Sequence, residues 1–198
     1  MQPPRSRGPA TAQTRPQPPD APVNDRRAGH GPTASGSSWE YVAAVADWRS
    51  DRVGSALRGE NPTVLARLPG GFAVMGDPQW LPGYCVLLTD DPAAQRLSDL
   101  AGLQRSAFLE SMAALGGAVE RACEEVDPAF RRVNLEILGN ADVFLHAHVW
   151  PRYEWEPPDL VHRPVWLHPV ERWRDEETAL GPQHDALRAS ITQHLTGR

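Results

Sequence analysis

Lysine is absent from the 198-residue chain, in which all 20 basic residues are arginines. That excludes a P-loop lysine and any Schiff-base lysine, and with them two large enzyme classes. Cysteine is scarce: only Cys85 and Cys123 occur, with no CxxC. The pattern fits a reduced, cytoplasmic chain and leaves a single disulfide open. No apolar run approaches the ~20 residues of a membrane helix, and no apolar h-region opens the sequence, so neither membrane contact nor a secretory signal is expected. Positive charge is also in deficit. The net charge of −5 points away from bulk electrostatic binding to a nucleic-acid polymer.

Large apolar side chains are almost missing from residues 1–38, which hold eight of the 20 prolines, five arginines and two aspartates. Such a segment cannot bury enough surface to offset its ordering entropy, so a disordered Pro/Arg-rich tail is expected over 1–38 and one domain over 39–198. Five arginines less two aspartates give the tail +3 and leave −8 for the domain.

Within the domain, "SWEYVAAVADWRSDRVGSAL" has helical spacing through Tyr41, Val45 and Trp48, with Ser38 as a candidate cap. "GFAVMG" and "GYCVLLT" predict paired strands around the proline-bounded turn "DPQWLP". "SDLAGLQRSAFLESMAALGGAVERACEEV" predicts a long helix with Phe108, Met112, Leu115, Val119 and Val126 on one face. Its Gly116-Gly117 pair fits either close packing on a sheet or a kink. "RRVNLEIL" and "DVFLHAHVW" predict two more strands joined by a tight Gly139-Asn140 turn. A last helix is expected through Leu187, Ile191 and Leu195.

The histidines of "DVFLHAHVW" need a reason, because burying an imidazole without a partner is unfavourable. Alternate residues of a strand share a face, so Val143, Leu145, Ala147 and Val149 form an apolar side that packs under the long helix. Phe144, His146, His148 and Trp150 form the other side, where two aromatics narrow access to the histidines. Alone, the pair fits partly buried, satisfied histidines, shared metal ligation or nucleophilic catalysis.

The longer string "NLEILGNADVFLHAHVWPRY" resembles the signature of the histidine triad (HIT) family of nucleotide hydrolases and transferases. Members of one branch read Asn-x-Glu-Ile-Leu-Gly-Asn, then His-x-His-x-His, an apolar pair and Pro-Arg. The resemblance covers roughly residues 64–153 and places the hairpin, long helix and histidine strand in the family's order. It implies that His146 is the nucleophile and that His148 contacts phosphate. Asn134, Gly139 and Asn140 match positions that hold the phosphate and the nucleophile, and Asp77 stands one position from the family's ribose-binding residue. Arg152 is a further candidate phosphate ligand, against the bland alternative of a surface ion pair. Phe144 replaces the first triad histidine, Ala141 a common serine, and Tyr84 a common histidine after Pro-Gly.

The chemistry agrees with the resemblance. Neutral imidazole is a good nucleophile near pH 7, and attack by one ring nitrogen on an α-phosphorus gives a phosphoramidate. The other ring N–H then needs an anchor, for which a backbone carbonyl is the usual choice. Backbone N–H groups around Gly139-Asn140 are candidates for holding phosphate oxygens. His162, His168, His184 and His194 show no convergent spacing and read as surface residues. Trp155 and Trp166 fit a cover over the site, a base-stacking surface or a small core.

The expectation is therefore an α+β, HIT-like domain, an antiparallel sheet with the long helix on one face, acting as a nucleotide hydrolase or nucleotidyltransferase. No cofactor is expected, although magnesium can accompany a polyphosphate substrate. The resemblance also implies a homodimer whose sheets meet edge to edge. Two other classes stay open: a nucleotide-binding module with little or no turnover, and a zinc protein using His146 and His148.

Overall fold

The computed structural model describes residues 47–197. The expected tail, the Ser38 cap and the helical positions Tyr41 and Val45 lie outside these residues. The expected helix does not run unbroken through Trp48. Asp47 accepts from the Arg49 amide and Asp51 from the Gly54 amide (3.1 and 3.0 Å), so each caps its own start. A 3₁₀ turn at Trp48–Asp51 is followed by helix α1, Arg52–Arg58, which ends at Gly59 with φ +74°.

Strands β1 (Val64–Leu68) and β2 (Gly71–Met75) form a hairpin across Pro69-Gly70. Gly71 has φ +143°, and a Cβ there would stand 1.9 Å from the Leu88 carbonyl oxygen. Only glycine lets β2 leave the turn this close to β3 (Cys85–Leu88), its antiparallel partner. Strand β5 (His146–Tyr153) lies between β3 and β4 (Phe130–Glu136), giving an antiparallel sheet in the order β1-β2-β3-β5-β4.

Helix α2 (Gly102–Val126) covers one face. Its Phe108, Leu115 and Val119 are buried in one core cluster with Leu87, Leu145, Ala147 and Val149. Met112 packs at the margin, whereas Val126, in the last helical position, is exposed. The helix is continuous through Gly116, where a Cβ would come 3.1 Å from Leu135 of β4. Gly116 therefore serves close packing on the sheet, while Gly117 meets only Arg121 of its own helix. Helix α3 (Asp185–Thr196) adds Leu187 and Ile191 to the same core. Cys85 and Cys123 are both free and buried.

The expected tight turn at Gly139-Asn140 is replaced by a longer connection, residues 137–145. Gly139 is not among the glycines with positive φ. Leu145 explains the length: its N–H donates to Ala94 and its carbonyl accepts from Thr89, so the chain is tied to the loop after β3 before β5 begins. Val143, expected in the core, lies in this connection and is 75% exposed. The alternation holds from Leu145 onward. Among the described residues no helix is long and apolar enough to cross a membrane.

Candidate active site

On the face away from α2, β5 presents His146, His148, Trp150 and Arg152 in turn. The following segment folds over them, with Trp166 and Trp173 stacked on each other at 4.9 Å and both edge-on to Trp150. Trp166 also meets His148 edge-on at 5.0 Å. Trp166 thus packs in an aromatic cluster beside His148 and is not among the residues that line the histidine pocket. Trp155 stacks on Tyr153 and donates to Asp127, away from the histidines.

His146 and His148 are 5% and 8% exposed, and both line one pocket. Their rings are nearly perpendicular, with centroids 4.8 Å apart. His146 Nδ1 lies 2.8 Å from the Phe144 carbonyl oxygen. A carbonyl only accepts, so Nδ1 carries the proton and Nε2 keeps its lone pair. His148 Nδ1 lies 2.8 Å from the Tyr84 hydroxyl. Burial, with a smaller push from His146, lowers the His148 pKa to about 3, so it is neutral near pH 7. The Tyr84 ring stacks on Trp150 at 3.6 Å and 3°, and its burial pushes the phenol pKa far above its ordinary value.

The rest of the pocket comes from β2, the β2–β3 connection, β3, α1 and the loop before β5. Val74, Val86 and Leu88 make an apolar floor, and Phe144 stands 5.0 Å from the His146 ring. Arg52, Asp77 and Asp142 bring charge to it. The enclosed part measures about 110 Å³, below the ~300–1,000 Å³ of pockets that engulf a drug-sized ligand. It has room for a phosphate group, with the remainder of a larger ligand lying across the mouth.

Asp77 stands at this pocket, but its carboxylate already accepts from Arg52, Nη2 to Oδ2 at 2.5 Å. Five other expected placements need correction. Asn134 faces Trp150 across the β4–β5 ladder, beyond His148, and lines a separate groove with Arg131, Arg132 and Arg163. Gly139 and Asn140 are exposed in the 137–145 connection and do not line the histidine pocket.

Arg152, expected at phosphate or in a surface pair, lies in a buried ion pair beside that second groove. It is 3% exposed; Nε and Nη2 donate to Glu156 (2.7–3.0 Å), Nη1 to the Arg163 carbonyl, and Nη2 also to those of Leu160 and Val161. His168, expected at the surface, is buried against the same carboxylate, with Nε2 3.1 Å from Glu156 Oε2.

Sequence reasoning missed Arg52 and Asp142. Asp142 shares the parity of Phe144, His146 and His148, a signal that was available. Arg52 follows a helix cap and carries no local signal. Among the described residues, no group of three or more His, Cys, Asp and Glu is arranged to hold a metal, so the zinc reading gains no third ligand.

The fold is similar to that of a histidine triad (HIT) protein from Sinorhizobium meliloti 1021, with a TM-score of 0.50 and 18% identity over 66% of this chain and 87% of that one. A histidine triad protein from Marinobacter aquaeolei VT8 matches with a TM-score of 0.46 and 18% identity, over 68% of this chain and 85% of that one. No family model and no curated protein matches the sequence. The chain has a HIT-like fold.

Proposed function

We propose that the protein is a HIT-like nucleotide hydrolase or nucleotidyltransferase that works through a covalent intermediate on His146. The observation that carries this reading is the 2.8 Å hydrogen bond from His146 Nδ1–H to the Phe144 carbonyl, which leaves the Nε2 lone pair on a buried, phosphate-sized pocket. Nε2 attacks the α-phosphorus; the N–P bond forms as the bond to the leaving group breaks, and that group departs with the electron pair. The positive charge that develops on the ring is met by the Phe144 carbonyl dipole. Water, or another acceptor, then attacks phosphorus, the N–P bond breaks, and the acceptor's proton is released. Neutral His148 contributes a hydrogen-bond donor to a non-bridging oxygen.

No step needs a cofactor; with a polyphosphate substrate, magnesium would arrive bound to the substrate. Asp77 reaches a ribose hydroxyl only while shared with Arg52. A homodimer whose sheets meet edge to edge, and a cytoplasmic location, belong to the same reading. The test is turnover on a panel of dinucleoside polyphosphates and nucleoside phosphoramidates. Release of a nucleoside monophosphate or its transfer to an acceptor supports the enzyme. Tight binding without turnover assigns a binding module instead.

A further inference from the structure

We propose that Tyr84 is a positioning residue for this chemistry: its phenol holds His148 in the tautomer that presents Nε2–H to the substrate phosphate. The inference rests on the reading of His146 as nucleophile, and it concerns a side chain that stands where the resembling family commonly has histidine.

The geometry fixes the phenol first. Tyr84 is buried and its ring lies flat on Trp150, with centroids 3.6 Å apart and planes 3° from parallel. That stack holds the ring plane, and the hydroxyl then meets His148 Nδ1 at 2.8 Å. This is the hydroxyl's one hydrogen bond among the described residues. A buried phenol whose proton pointed elsewhere would leave a donor unsatisfied, at a free-energy cost. The phenol therefore donates, Nδ1 accepts, and the ring proton of neutral His148 sits on Nε2.

His148 lines the pocket, and with Nδ1 occupied, Nε2 is the ring nitrogen left for a ligand. The two neighbouring histidines thus carry opposite tautomers set by opposite anchors. Phe144 offers an acceptor and leaves His146 with a bare Nε2; Tyr84 offers a donor and leaves His148 with an Nε2–H. One nitrogen attacks and the other holds an oxygen. Were His148 in the other tautomer, its lone pair would face the phosphate oxygens and oppose the charge that gathers there. The low pKa of His148 fits this role, since the ring stays a neutral donor across the physiological range.

The test pairs a spectrum with kinetics. Histidine-selective ¹⁵N labelling and long-range ¹⁵N–¹H correlation of the unliganded protein should show His148 as Nε2–H and His146 as Nδ1–H. Tyr84→Phe keeps the Trp150 stack and removes the donor. The His148 signals should move toward a mixed tautomer population, and kcat should fall about tenfold with KM within about twofold. A purely structural role would lower the melting temperature without changing the tautomer. An Nδ1–H tautomer at His148 in the wild type overturns the proposal, and so does a Y84F variant in which either readout stays put. Should Y84F fail to fold, the wild-type spectrum decides alone. A wild type with the expected tautomers but no turnover on any nucleotide fails the proposed reaction and leaves the Tyr84–His148 lock standing.

Discussion

Under α2, Leu145, just ahead of β5, and Ala147 and Val149 within it meet Phe108, Leu115 and Val119 in an apolar cluster. One residue out of phase, the same strand turns His146, His148, Trp150 and Arg152 to its other face. The first face is stabilised chiefly by burial of apolar area. The second carries His148, which burial keeps neutral, an ion pair out of reach of water, and the indole N–H groups of Trp80 and Trp150 buried without a partner among the described residues. Each of those features costs stability unless compensated. Of these, the histidines line the pocket, whereas the Arg152–Glu156 pair holds the segment that returns over the sheet, so this face combines site and scaffold.

Substitutions on the two faces should break in opposite ways. The largest effect is expected for His146→Asn, which should lower turnover by several orders of magnitude while leaving the melting temperature within a few degrees and nucleotide binding in place. Leu115→Ala is its mirror: a loss of ~2–5 kcal/mol in urea unfolding, with turnover per folded molecule unchanged. Glu156→Ala tests whether the site face also contains pure structure. It strands the Arg152 guanidinium in the interior and should cost ~3–5 kcal/mol in the same unfolding assay. Near-normal stability there would mean that water reaches Arg152.

His148→Ala should be milder than His146→Asn, costing ~2–4 kcal/mol in kcat/KM through loss of the Nε2–H donor at the developing charge. Equal damage from both would undo the division of labour between the rings.

The smallest effect is in pH. An unfolded histidine takes up a proton near pH 6.5, whereas His148 in the fold does so only near pH 3. Between these values the unfolded chain binds more protons, so stability falls as pH drops through 6.5 and stops falling below about 3. From pH 6.5 to 5 the loss is about 2 kcal/mol, and burial of His168 pushes in the same direction. Urea melts at pH 7.5 and 5.0 read it directly, and His148→Asn should shrink the drop.

Periodicity made much of this legible in advance. The 3.6-residue pattern of α2, the β2–β3 hairpin and the in-out alternation of β5 are local properties, and the structure agrees with each. Strand β1 went unread although Pro69-Gly70 marks its turn, because Arg67 interrupts a short apolar run. The loop before β5 was misjudged because its length is set by a tertiary tie from Leu145 to Ala94 and Thr89. Arg152 misled for a similar reason: the Glu156 that captures it lies four residues on, but its burial depends on a segment returning over the sheet. The positions of His146 and His148 were readable from the strand. Their partners, the Phe144 carbonyl and the Tyr84 hydroxyl, were not equally so; the first was anticipated as a class of anchor, and the second comes from the β2–β3 connection, far off in sequence.

The central claim is that His146 Nε2 becomes bonded to phosphorus during turnover. Rapid mixing with a nucleotide labelled at the α-phosphate, denaturing quench and peptide mapping test it directly. The account predicts protein-bound label that survives alkali, is lost in acid, maps to the peptide containing His146 and is absent from His146→Asn. Turnover without any such label, or label that persists in His146→Asn, would contradict it.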